Sequence, residues 1–171
     1  QGLTEKKAKE IWNLIQPFAD YSFPKAHATA YAQIAYWTAY LKANYPDALM
    51  AALMTTDYND VDRLAIDIAD CNNLKIEVLP PDVNESFVDF GIVPDKSKIR
   101  FGLKAIKNVG SGSAEEIVRV REESGEYKSL EDFLTRVNYR LVNRKSIESL
   151  IKSGGFDSFN ERAILLDNID L

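Results

Sequence analysis

Two stretches of this chain carry side chains whose type and spacing suit chemistry on a phosphate. The first is YSFPKAHATAY, Tyr21 to Tyr31, where Lys25 and the chain's one histidine, His27, stand two residues apart. A lysine is a compact cation with three donors, and an imidazole offers one or two ring donors depending on pH. Both precede a segment, 28–44, that reads as a helix, and the free amides at a helix start add a positive field. A triphosphate would use all three, with Tyr31 one turn on placed to lie against a base or a sugar. A hydrogen-bonded structural histidine and a core aromatic account for the same residues, so at this level both readings stand.

The second stretch is LKAIKNVGSGSAEEIV, Leu103 to Val118. Gly110, Ser111 and Gly112 mark a sharp junction between a short predicted helix, 103–109, and a second helix that begins at once. Glycine lets a backbone approach a ligand closely and adopt positive φ. The exposed amides of the following helix start then form an anion site. A DNA phosphate suits such a site, which reads no base. Lys104 and Lys107 add salt-dependent attraction, and Ser113 with Glu116 fits a capping box. The apolar-x-x-apolar-Gly-x-Gly arrangement followed by SAEEIV resembles the helix-hairpin-helix motif of DNA binders that read no sequence. A helical hairpin whose glycines serve packing alone is the competing reading. Glu115 and Glu116 favour it, because carboxylates one turn from a phosphate weaken binding.

The elements that must position these residues are mostly helical. Thr4 is placed to cap a first helix carrying Ala8, Ile11, Trp12, Ile15 and Phe18 at helical spacing, ending near Pro17–Asp20. Pro24 pushes Phe23 out of the helical region. The segment 28–44 is apolar nearly all round, which predicts a helix buried or sandwiched between partners. Pro46 and Asp47 open a third helix, and Asp60 caps a fourth with the stripe Val61, Leu64, Ala65, Ile68 and Cys71. LKIEVLPPDVN, SFVDFGIV and KIRFGL then read as two or three short strands, the last two joined through Pro94–Ser97. In the second half, the Gly110 unit and RKSIESLIKSGGFDSFNERAILLDNI, with its Gly154-Gly155 turn, form a pseudo-repeat. SLEDFLTRVNYRLVNRKS joins them as one helix and a basic connector. The expected class is mainly α: a helical part (1–74), a small β joint (75–101) and two helix–turn–helix units (102–171).

Composition bounds the function. With 171 residues, 46% apolar and 27% charged, the chain can bury a core in one domain or two small ones. No apolar run is long enough to cross a bilayer. The lone Cys71 excludes an internal disulfide framework and fits the reducing cytoplasm. Residues 1–97 hold eight Lys/Arg against fourteen Asp/Glu, whereas residues 98–152 hold twelve against eight. A basic segment in an acidic chain points weakly to a polyanionic partner. The start at Gln1-Gly2 and the end at Leu171 suggest a piece of a longer polypeptide.

The stretch PFADYSFPKAHATAYAQIAYWTAYLKANYPDALMAALMTTD resembles the fingers of the alpha subunit of bacterial DNA polymerase III, the C-family replicative polymerases. That family shows a Tyr-x-Phe-x-Lys-x-His-Ala-x-x-Tyr core, matched by Tyr21, Phe23, Lys25, His27, Ala28 and Tyr31. A second block is matched by Tyr36 to Pro46 and by Met50-Ala51-Ala52. LPPDVNES, FGLKAIKNVGSGSAEEIVRVRE and LIKSGGFDSF extend the likeness over nearly the whole chain, nearer to the common bacterial subunit than to the exonuclease-containing form.

The resemblance implies that Lys25, His27 and Tyr31 face an incoming nucleotide. It also implies that Lys104, Lys107, Gly110, Ser111, Gly112 and Ser113 touch the backbone of primer-template DNA in a tandem helix-hairpin-helix domain. Pro24 and Ser111 depart from the family's usual polar and charged residues. The bond-making Mg2+ and its carboxylate pair belong to the palm of such enzymes; Asp60 and Asp62 read as a helix start, so the chain alone should be inactive. Expected partners are the rest of the subunit, a sliding clamp and a proofreading subunit, with no membrane. Two other classes explain part of the sequence: a repair protein's helix-hairpin-helix module, and a non-catalytic helical adaptor.

Overall fold

The computed structural model describes residues 2–22, 24–94 and 97–169. The chain forms two compact units, Gln1–Ala43 and Asn44–Leu171.

The first unit holds α1 (Glu5–Ser22) and most of α2 (Lys25–Asn44). Contrary to expectation, α1 runs through Pro17. Proline's fixed φ is a helical value, so it removes one ladder hydrogen bond without forcing a stop in this exposed helix. The second helix likewise begins at Lys25 rather than Ala28, its first bond running from Ala28 N to the Pro24 carbonyl at 2.9 Å. Phe23 lies outside the described residues. None of the residues of the all-round apolar α2 is buried among the described residues.

In the second unit, α3 (Pro46–Asp57) opens with Pro46 and buries Met50, Ala51 and Met54 along one stripe. Asp60 caps α4 (Val61–Asn73) by accepting from Arg63 N at 3.1 Å, and Leu64 and Cys71 face inward. Three strands follow, β1 (Glu77–Leu79), β2 (Gly91–Val93) and β3 (Lys98–Arg100), in the order β1-β3-β2. The β1–β3 pair is parallel, with Val78 opposite Ile99, and β2–β3 is antiparallel, with Ile92 opposite Ile99. The α3 and α4 stripes close over Ile76, Phe90 and Ile99 in one core.

The remaining elements are a 3-10 turn (Leu103–Ala105), α5 (Ser111–Ser124), α6 (Leu130–Arg136), α7 (Arg144–Ser153) and α8 (Arg162–Asp167). The helix predicted over 103–109 is only that turn: Ile106 is extended (ψ 128°) and Asn108 left-handed (φ 67°), either of which ends a helix. A second core gathers Leu103, Val109, Ile117, Val142, Ile147 and Leu150 around a chain of rings. Tyr127 meets Phe133 at 4.8 Å and Phe133 meets Phe156 at 4.9 Å, both edge-on. The Tyr127 hydroxyl donates to the Ile117 carbonyl, and burial pushes its pKa up to about 12. Arg121 ties the two regions, donating at 2.9 Å to the carbonyls of Val83 and Ser86.

Candidate nucleic-acid interface

Gly110 stands at the N-cap of α5 in an extended conformation (φ −74°), and no side chain caps the helix. The first amide to close an intrahelical bond is that of Ala114, to the Gly110 carbonyl at 3.0 Å. The amides of Ser111, Gly112 and Ser113 come before it and have no intrahelical acceptor. A Cβ built at Gly110 or Gly112 would meet nothing within 4 Å, and neither glycine has a positive φ. This differs from the positive φ foreseen for the turn and removes the packing explanation of both glycines. Gly102 shows what a packing glycine looks like: a Cβ there would sit 2.5 Å from the Asp89 backbone.

The Gly154-Gly155 unit folds as expected into helix, turn and helix (α7, α8), but the counterpart of the Gly110 turn is the segment between α6 and α7. Gly154 is left-handed (φ 94°) and simply ends α7, with Gly154 N bonded to Ile151 O and Gly155 N to Leu150 O. The counterpart of Gly110 is Asn143, the N-cap of α7, whose side chain accepts from Ser146 N at 3.1 Å. Ser113 and Ser146 each lie three residues after their cap, and both are buried. Ser113 Oγ donates to the Leu141 carbonyl at 2.6 Å, and Ser146 Oγ donates to the Asn108 carbonyl at 2.8 Å. Each acceptor lies two residues before the other hairpin's cap, so the hairpins are clasped reciprocally. The signal was present as a repeat offset by 33 residues: Val109/Val142, Ser113/Ser146, Glu115/Glu148 and Ile117/Leu150.

Of the residues singled out in the sequence, Lys107, Gly110, Ser111 and Gly112 are exposed around the bare helix start. Lys104 is spoken for within the chain, paired with the Asp89 carboxylate and held 4.8 Å from the centre of the Tyr58 ring. Ser113 serves the clasp rather than a capping box. Glu116 is turned inward, accepting from Asn138 N at 3.1 Å and from the fork of Arg119 at 2.8 Å. Its charge is thereby compensated, which removes half of the carboxylate objection; Glu115 stays exposed.

In the first unit Lys25 opens α2, and His27 and Tyr31 lie one turn apart with ring centres 4.4 Å apart and planes tilted by 57°. All three are exposed, and the first turn holds no acidic residue. Among the described residues no group of three or more His, Cys, Asp or Glu side chains could hold a metal ion. No helix among them is long and apolar enough to cross a membrane.

A pair of clasped helix–turn–helix units with one uncapped glycine turn defines a helix-hairpin-helix protein, and the helix-hairpin-helix motif model matches residues 75–165. The chain belongs to that family. More particularly, it is similar to a segment of DNA polymerase III subunit alpha. The identity is 46% over 166 residues in Saccharopolyspora erythraea, covering 97% of this chain and 14% of that protein. It is 45% over 170 residues in Thermus aquaticus, covering 99% and 14%. In Neisseria meningitidis it is 46% over 172 residues, covering 100% and 15%. The chain therefore spans about one seventh of the length of these relatives.

Proposed function

We propose that this chain serves a cytoplasmic replicative DNA polymerase as a holder of nucleic-acid backbone, its Gly110–Gly112 turn taking a phosphate of primer-template DNA without reading a base. The observation that carries the reading is the empty space at both glycines beside uncapped amides, which leaves close approach by a ligand as the use for glycine there. Lys107 supplies adjacent positive charge; Ser111 and Ser113 contribute their backbone amides. In the same reading, the Lys25–His27–Tyr31 face of α2 meets the triphosphate and base of an incoming deoxynucleotide. On this reading the bond-making carboxylates and their Mg2+ belong to the palm of the polymerase, and a sliding clamp and a proofreading subunit are among its partners. Support comes from the start of α2, which carries Lys25 and no acidic residue in its first turn, and from the likeness to polymerase subunits across both units.

The test is a salt titration of binding to a fluorescent duplex of random sequence. The expected result is an affinity that falls linearly on a log–log plot with salt and does not depend on sequence. Binding that is flat with salt, or lost when the sequence is scrambled, overturns the reading.

A further inference from the structure

Beside the first hairpin lies an open cleft of about 690 Å³ that none of the foregoing uses. One wall is the hairpin loop, Lys107 and Asn108; the other is a face of α7 bearing Lys145, Ser149 and Lys152. The floor is apolar, from Pro81, Phe101 and Ile106, and among the described residues no carboxylate lines the cleft although the chain is net acidic at −5. Lys107 and Lys145 are exposed and make no ion pair among the described residues. Lys152 reaches only a long 3.9 Å contact with Glu148, whose other oxygen is held by Arg144 at 3.1 Å. Asn108 Nδ2 donates to Ser149 Oγ at 2.9 Å, fixing one wall to the other.

The two α-helix faces differ in charge. By the 33-residue offset, Lys145 and Lys152 correspond to Gly112 and Arg119. The first brings no charge and the second is already committed to Glu116 and Glu123. The clasp therefore joins two similar hairpins and gathers Lys107, Lys145 and Lys152 along one cleft, while Arg140, the counterpart of Lys107, stands exposed in the other hairpin's loop.

We propose that this cleft is a second backbone-binding site, which receives the phosphates of one nucleic-acid strand as it continues past the Gly110 turn. The proposal rests on the reading that the turn itself holds a phosphate. Continuity supports a strand: Lys107 and Asn108 line the cleft and lie within three residues of Gly110. Size supports it too. Lys145 and Lys152 are seven residues apart, roughly 10 Å along a helix, against about 3.4 Å of rise per nucleotide in one strand. The pair thus spans roughly three nucleotides.

The experiment compares the protein with its K145E/K152E and G112A variants, by fluorescence anisotropy on duplex and single-stranded oligonucleotides over a salt series. Circular dichroism and thermal melting check that each variant is folded. K145E/K152E should bind at least tenfold more weakly at low salt, and the slope of log Kd against log salt should fall by about 2. G112A should weaken binding with the slope little changed. A K145E/K152E variant with unchanged affinity and slope, beside a weakened G112A, overturns the cleft and leaves the turn standing. No binding by the unaltered protein overturns both. Inorganic tripolyphosphate is added as competitor: displacement of DNA only at ionic-strength levels supports a strand, whereas displacement at micromolar tripolyphosphate makes the cleft a site for small polyanions and overturns the proposal.

Discussion

Ser113 and Ser146 are interchanged partners: each reaches from the third residue of its own helix to a carbonyl in the loop of the other hairpin. Two hydroxyls with little water access thus fix the relative placement of two turns. Removing one intramolecular hydrogen bond costs about 0.5 to 1.5 kcal/mol. Ser113→Ala and Ser146→Ala should each lower stability by about 1 kcal/mol in urea denaturation. Because both bonds close one interface, the double variant should depart from additivity by about 0.5 kcal/mol or more. Strict additivity, with each change under about 0.3 kcal/mol, would show that the clasp does not hold the hairpins.

Gly112 and Gly102 should behave oppositely when replaced by alanine. At Gly112 the methyl enters open space on a helix, so stability should hold or rise by up to about 1 kcal/mol, while duplex affinity falls severalfold. At Gly102 the methyl collides with the Asp89 backbone, and the variant should lose about 1 to 3 kcal/mol. Full DNA affinity in Gly112→Ala would mean that no ligand needs that glycine.

On the proposed function, Lys25→Ala is to be read in a full-length polymerase subunit that carries this segment. There it should raise the apparent KM for deoxynucleotides far more than it weakens primer-template binding. Steady-state kinetics with KM and kcat both unchanged would remove Lys25 from the nucleotide site.

Asp67 carries a buried carboxylate oxygen with no hydrogen-bond partner among the described residues. Burial, then the negative charges of Asp57 and Asp70, raise its pKa above the ordinary value, with Arg63 opposing. A carboxyl raised in the folded state weakens the fold as pH climbs above its unfolded value, and the effect is complete above the folded one. Asp67→Asn should therefore be more stable than the parent at pH 7, by no more than about 1 kcal/mol. The gap should close as pH drops below about 4. Denaturation midpoints at the two pH values check this, and a gap that widens in acid would contradict it.

Much of the fold could be read from residue order because its signals are local. Asp60 caps α4, Pro46 opens α3, and the Met50–Met54 stripe has the helical period, so each element's type follows from a few neighbouring residues. The alternating segments around Glu77, Ile92 and Ile99 likewise point to two or three strands, and three form. What failed depends on backbone angle or on distant partners. Gly110 and Gly154 are the same letter, but one is extended at the start of a helix and the other left-handed at the end of one. The second hairpin turns on Asn143 with no glycine at all, so a search for glycine turns passes over it. Lys104 reads like Lys107 until Asp89 and Tyr58 arrive from other elements to engage it. Glu116 reads as a surface charge until Arg119 and Asn138 fold around it.

The rings of α2 bear on how the protein behaves in a tube. Tyr31, Ile34, Trp37 and Leu41, with Tyr36 and Tyr40 on another side, all face solvent. Concentrated stocks should accordingly turn sticky: molecules will cluster, scatter light and brighten solvatochromic dyes. Dilute samples or a mild detergent should reverse that clustering, and hairpin–DNA affinities should be measured under those conditions.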